Sequence, residues 1–170
     1  MEGLAGNKIP SLKKCFIIFG VSGCGKSTVG KLLASKQNLV FLDADNFHPQ
    51  ENINKLKNGI ALTDSDRIPW LKNLSTILEG NSTAGFVLAC SALKESYREL
   101  LSSKVKNIQW VFLEGKFEII NKRLLERKNH FMHPNLLRDQ LETLEVPDYG
   151  FKVSIEYSPE TIVTSILNEI

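Results

Sequence analysis

The chain has 170 residues, 42% of them hydrophobic and 24% charged, with a formal net charge of +2. That size suits a single compact domain with its own core, and the composition excludes a disordered chain. The small charge gives no ground for a nucleic acid or a membrane surface as partner, and no apolar run approaches the roughly 20 residues that span a bilayer.

Residues 1–12 carry neither the apolar core of a signal peptide nor the Arg-rich pattern of a transit peptide. They are expected to form a flexible tail, leaving 13–170 as one domain. The three cysteines, Cys15, Cys24 and Cys90, are an odd number, and two lie in or beside apolar runs. This points to reduced thiols and a cytoplasmic protein rather than a disulfide framework.

In chain order, a short apolar run at 15–19 comes first, followed by a glycine-rich octet and a helical face of Val29, Leu32 and Leu33. A second run at 39–42 ends in Asp43-Ala44-Asp45, and the segment 47–67 is less regular. Trp70, Leu71, Leu74, Ile77 and Leu78 then make a helical stripe, with Pro69 expected to start it and Gly80 to stop it. Further runs lie at 86–90 and 108–113, and helices are marked by Phe117, Ile120 and Leu124 and by Leu137, Leu141 and Leu144. The four runs lack alternation and read as strands buried on both faces. Residues 151–155 do alternate, which places them at a sheet edge. Ser158-Pro159-Glu160 supplies an N-cap, an N1 proline and an acidic first turn to a last helix carrying Ile162, Val163, Ile166 and Ile170. Strands alternating with helices imply βαβ units and a parallel sheet covered on both sides. Segments 47–67 and 128–150 are candidates for mobile regions over a site.

The octet Gly20-Val21-Ser22-Gly23-Cys24-Gly25-Lys26-Ser27 fits G-x-x-x-x-G-K-[ST] at every fixed position. Its glycines permit a backbone whose successive N–H groups converge on an anion. The helix that follows adds its positive end, Lys26 brings a charge to the β- and γ-phosphates, and the Ser27 hydroxyl can ligand Mg²⁺. A chance glycine-rich turn would lack the preceding strand and following amphipathic helix, so the octet, with Thr28 beside it, is assigned to ATP.

Asp43 and Asp45 end a strand, where a parallel sheet presents its ligand crevice. One carboxylate can orient a metal's water shell and the other can take the proton of an attacking hydroxyl; alternatively, the pair is an acidic turn capping a helix. His48 either donates a hydrogen bond to a polar substrate or is a packed residue, and no second His or Cys stands at zinc spacing. Basic residues outnumber acidic ones from Lys94 to Lys128. Arg123 and Arg127, four apart, share a helical face suited to polyphosphate or to a solvated surface balanced by Glu126. Lys94 and Arg98 share a face in the same way, and Arg67 lies in an acidic turn that offers it a salt bridge.

These segments resemble the gluconokinase family. The resemblance is carried by the octet, by Phe41-Leu42-Asp43-Ala44-Asp45 with Phe47-His48-Pro49, and by Leu62-Thr63-Asp64-Ser65-Asp66-Arg67-Ile68-Pro69-Trp70-Leu71. It continues through Cys90-Ser91-Ala92-Leu93-Lys94 with Tyr97-Arg98, Arg123-Leu124, Arg127 with His130-Phe131, and Gln140-Leu141-Glu142-Thr143-Leu144-Glu145. It implies an α/β P-loop kinase, three-layered and doubly wound, with a five-stranded parallel sheet and a mobile lid. It also implies ATP- and Mg²⁺-dependent phosphorylation of D-gluconate at its 6-hydroxyl. Carried over, Asp45 is the acceptor-side acid, Asp43 and Ser27 lie at the metal, Arg67, Lys94 and Arg98 with His48 meet the acceptor, and Arg123 and Arg127 meet the phosphates. Cys24 stands where the family often has serine, adding a thiol open to oxidation, and Val146 interrupts a stretch that often reads Glu-Pro-Pro. Another small polar acceptor, shikimate-like or a nucleoside monophosphate, and a non-catalytic ATP-binding module are the competing readings. A homodimer would suit the class, although no residue stripe marks an interface.

Overall fold

The computed structural model describes residues 13–127 and 135–170. The tail expected at 1–12 and the part of the expected lid at 128–134, with Lys128, His130 and Phe131, lie outside the described residues.

Five strands form one parallel sheet: β1 (Cys15–Phe19), β2 (Val40–Asp43), β3 (Phe86–Cys90), β4 (Ile108–Glu114) and β5 (Phe151–Ser154), in the order β2-β3-β1-β4-β5. β1 pairs in register with β3 on one side, Phe16 opposite Val87, and with β4 on the other, Phe16 opposite Gln109. The central strands β1 and β3 are buried throughout, as unalternating apolar runs require. β5 is the edge expected from its alternation. The run at 39–42 departs from expectation: β2 is the opposite edge, half-buried, with Val40 44% exposed.

The helices are α1 (Lys26–Gln37), α2 (Gln50–Lys57), α3 (Asp64–Asn81), α4 (Glu95–Ser102), α5 (Phe117–Glu126), α6 (Leu136–Thr143) and α7 (Pro159–Glu169). The chain steps from β1 outward to β2 through α1, and returns through α3, α4 and α5. Right-handed crossovers therefore place α1 on one face, where α7 packs on it, and α3 and α4 together on the other. The strand order reverses beside β1, so the crevice opens at the carboxyl ends of β1 and β3, the location that such sheets use for ligands.

Segment 47–67 is more regular than its sequence suggests, because α2 and the first turn of α3 occupy it. α3 starts at the cap Thr63, ahead of Pro69. Thr63 Oγ1 accepts from the Asp66 N–H at 3.3 Å, and Asp66 Oδ2 accepts from the Thr63 N–H at 2.9 Å, a reciprocal capping box. Pro69 is thus inside the helix. Its missing N–H deprives the Ser65 carbonyl of a partner, and Ser65 is exposed, so water can serve that carbonyl. Asp66 also takes a 2.7 Å bond from Lys55, which ties α2 to α3 and holds the Asp66 carboxyl down at about 2, with the Thr63 backbone assisting. At the C-terminus, Ser158 caps α7 by accepting from the Thr161 N–H, with Pro159 at its start.

Thr63→Ala removes the side-chain half of the capping box. It should lower unfolding free energy by about 1 kcal/mol in urea titration, whereas an unchanged midpoint would show that the first turn of α3 is held by packing alone.

Candidate active site

The octet leaves β1 as a loop whose backbone only glycine satisfies at two points. Gly20 has φ +145°, and a Cβ there would lie 2.8 Å from the Leu113 carbonyl oxygen. Gly23 has φ +87°, and its Cβ would meet Leu124 of α5 at 2.8 Å. α5 and β4 therefore press directly on the loop. Lys26 at the start of α1 turns back to donate to the Val21 carbonyl at 2.9 Å, so its charge spans the loop.

Ser27 Oγ donates to Asp43 Oδ2 at 2.6 Å, while Asp43 Oδ1 accepts from the Asp45 N–H at 3.1 Å. Asp43 thus caps the 3-10 turn Ala44–Phe47, as the acidic-turn alternative has it, and faces the loop through Ser27. No group of three or more His, Cys, Asp or Glu that would chelate a metal exists among the described residues. The Ser27 and Asp43 oxygens fit Mg²⁺, a hard cation that keeps several waters and takes one or two protein oxygens plus phosphates.

Among the described residues, cavities lie on two sides of the loop. Ser22 and Lys26 face one, a small space of about 30 Å³ shared with Asp45, His48, Arg67 and Gln140. Gly23, Cys24, Gly25 and Thr28 face the other, of about 280 Å³, whose far walls carry Arg123, Arg127 and Tyr157. Arg123 is steadied by donating to the Ile155 carbonyl at 3.0 Å. The shared helical face expected for the two arginines is interrupted, because α5 ends at Glu126 and Arg127 is already extended. Both nonetheless line the second cavity.

Asp45 and His48 have complementary electrostatics. Burial in the crevice raises the Asp45 carboxyl above the ordinary range, and Asp43 adds to this, while Lys26 and then Arg127 oppose it. About 40% of its side-chain surface is still accessible, through the crevice, so the rise is moderated by solvent. His48 is stacked on Trp70, ring centroids 4.0 Å apart, with only 4% of its side chain exposed. Burial, then the Arg67 charge, pushes its imidazolium down to about 4, so the ring is neutral at pH 7. The Asn52 amide lies 3.4 Å from Nδ1 and also donates to the Asp66 carbonyl. With Asn52 as donor, Nδ1 accepts and Nε2 carries the proton; Nε2 lies 4.0 Å from Asp45.

Arg67 is 9% exposed, and its Nε is buried with no hydrogen-bond partner among the described residues. Its guanidinium lies 5.4 Å from the Tyr97 ring centroid. A buried, underused guanidinium in a cavity calls for an anion. Lys94 does not line that cavity. It donates to Asp64 at 3.0 and 3.1 Å, and the Tyr97 hydroxyl also donates to Asp64. Those bonds, Tyr97's first, hold the Asp64 carboxyl below its usual range.

A shikimate kinase family model matches residues 22–166. The chain is 40% identical to gluconokinase of Arabidopsis thaliana, with 92% of each chain covered. It superposes on the crystal structure of a gluconokinase from Sinorhizobium meliloti 1021 with a TM-score of 0.83 and 38% identity, over 92% of this chain and 91% of that one. The chain belongs to the gluconokinase family. The likeness to shikimate kinase is more distant: the Aquifex aeolicus structure gives 25% identity and a TM-score of 0.61, with 90% and 94% of the chains covered. The fold is accordingly that of the P-loop kinases.

Within that family fold, two readings of the sequence need correction. Arg98 is buried to 1% exposure and is committed to the protein. Nη1 donates to the Ala92 and Leu93 carbonyls, Nη2 to the Glu145 carbonyl and to Glu95 at 2.8 Å, and Nε to Glu95 and Tyr149. It fastens the turn after β3, where Ala92 has φ +40°, to the segment after α6, and has no donor left for an acceptor. Cys24 is 1% exposed, so its thiol is packed away from oxidants. Conversely, Gln140 carries no charge to draw notice, yet its Oε1 accepts from the Ser22 N–H at 2.7 Å across 118 residues. Spacing alone holds no signal for that contact.

Two outcomes follow. Arg98→Met leaves the buried Ala92 carbonyl without this donor and releases the Leu93 and Glu145 carbonyls and Glu95 from their shared tie, and should cost about 3 kcal/mol in chemical denaturation. For His48, the folded pKa lies below the ordinary 6.5, so the unfolded chain takes up the proton first. Stability is full above about pH 6.5 and falls as pH drops towards 4. Between pH 7 and pH 5 the protein should lose about 2 kcal/mol more than a His48→Asn variant; parallel curves would show that His48 titrates normally.

Proposed function

We propose that this protein transfers the γ-phosphoryl group of ATP to the 6-hydroxyl of D-gluconate, giving 6-phospho-D-gluconate and ADP. The observation that carries the reading is the sharing of one cavity by the loop residues Ser22 and Lys26, the carboxylate of Asp45 and the underused guanidinium of Arg67. A sugar acid presents what those groups require, a carboxylate at one end and a primary hydroxyl at the other.

Arg67 takes the carboxylate of the acceptor, and the neutral His48 offers Nε2–H to a hydroxyl. Asp45 accepts the proton of the 6-hydroxyl as its oxygen attacks phosphorus; the bond to the ADP oxygen breaks, and the proton ends on the Asp45 carboxyl. A carboxyl raised by burial is a better base than a solvated one. Lys26 gives up the Val21 carbonyl for phosphate oxygens, and Arg123 and Arg127 stand on the nucleotide side. Ser27 and Asp43 would hold Mg²⁺, which would supply charge neutralisation to the triphosphate. Lys94, paired with Asp64, serves the acceptor side indirectly by fixing the Tyr97 ring under Arg67.

No helix among the described residues is long and apolar enough to cross a membrane. The three cysteines are free and buried, which supports a reducing, cytoplasmic setting, and residues 13–170 are taken to act as one kinase domain.

A coupled ADP-release assay should show turnover with D-gluconate and little with shikimate, other sugar acids or nucleoside monophosphates; turnover with one of those and none with gluconate would overturn the assignment. Asp45→Asn should lower kcat by on the order of 10²-fold or more, and the acid limb of the wild-type rate profile should lie above the ordinary aspartate range. Arg67→Met should raise KM for gluconate roughly 10- to 100-fold, the worth of a charged hydrogen bond, with KM for ATP nearly unchanged.

A further inference from the structure

Gln140 occupies an unusual position for a neutral residue. It lies on α6, 6% exposed, and its side-chain carbonyl holds the N–H of Ser22, a residue of the phosphate loop that faces the acceptor cavity. One backbone donor of the anion-binding loop is thus taken by a side chain from the acceptor side.

The same face of α6 also walls the acceptor site. Leu136, one turn before Gln140, packs with Leu56 of α2 and Leu62 in a small cluster separate from the main core. A second cavity of about 40 Å³ lies against that cluster, and Gln140 and Arg67 line both cavities. An acid that binds beside Asp45 and Arg67 lies against the Gln140 side chain itself, and any shift of that side chain or of α6 acts on the 2.7 Å bond to the loop.

We propose that Gln140 is a positioning residue that links occupancy of the acceptor cavity to the geometry of the phosphate loop, so that sugar acid and nucleotide bind interdependently. This rests on the gluconate reading above. Linkage of this kind is reciprocal: the factor by which the acceptor changes nucleotide affinity equals the factor by which the nucleotide changes acceptor affinity.

The test is equilibrium binding of a non-hydrolysable ATP analogue with Mg²⁺, with and without saturating D-gluconate, by calorimetry on the full chain. Wild type should show a change in Kd of about fivefold or more, matched by an equal change in gluconate Kd when the analogue is saturating. In Gln140→Leu the ratio should collapse to within about twofold of unity. In Gln140→Glu, which keeps an acceptor for the Ser22 N–H, absolute nucleotide affinity should fall through like charge while the ratio persists. A merely structural role would weaken binding equally with and without gluconate, so an unaltered ratio in Gln140→Leu overturns the proposal, as does a wild-type ratio of one. A Gln140→Leu variant that fails to fold, judged by its thermal melt, leaves the decision to the wild-type ratio and to Gln140→Glu, whose loss of the ratio also counts against it. Failure of wild type to bind or turn over gluconate sinks the functional reading itself; turnover with a ratio of one sinks only the role given to Gln140.

Discussion

A loop that turns several backbone N–H groups towards one point places like dipole ends together, and only an anion relieves that arrangement from inside. Without one, the loop must be held from outside, and much of this molecule is organised around doing so. Gly20 lets the Leu113 carbonyl approach, and Gly23 lets Leu124 and Ile120 press in. Lys26 reaches across to the Val21 carbonyl, Ser27 is bound by Asp43, and Ser22 by Gln140. Apart from the Lys26 bond within the loop, these constraints come from β4, α5, β2 and α6, so the tertiary fold completes what the loop's own glycines allow.

The acceptor side is built on the opposite principle, charge left incompletely satisfied. The Arg67 Nε is buried without a partner among the described residues, and that charge also helps keep His48 neutral. Arg98, thirty-one residues on, shows the alternative fate of a buried guanidinium: every nitrogen is committed to carbonyls, a carboxylate or a phenol. One arginine is a structural rivet, and the other keeps a buried donor without a partner among the described residues.

That difference also marks how far the sequence could be read. The octet was legible because its steric demands are local, and β1, β3 and β4 because burial on both faces leaves a continuous apolar run. The run at 39–42 reads as buried on both faces, yet it is the edge strand β2, because an edge strand covered by α1 on one face, with Phe41 and Leu42 packed on the core, has nearly the same composition. Pro69 is the conspicuous start signal for α3, but the four-residue capping box from Thr63 to Asp66 outweighs it because the exposed Ser65 carbonyl can be served by water. Arg67 and Arg98 look alike in sequence, since spacing reports a shared face and says nothing about which carbonyls have come within reach. The contact of Gln140 with the loop leaves no trace in residue spacing, because its partner is a backbone amide far along the chain.

The placement of the loop as a wall between two cavities has a wider consequence. One of these cavities is walled by α5, α7 and residues 155–157 and the other by α2, α3 and α6, so the two are lined by different elements and meet at the loop. Substitutions that reshape one chamber need not reshape the other. A fold divided in this way can exchange its acceptor during evolution while inheriting its donor chemistry intact, and kinases of shared architecture but unlike acceptors are what such a partition would leave behind.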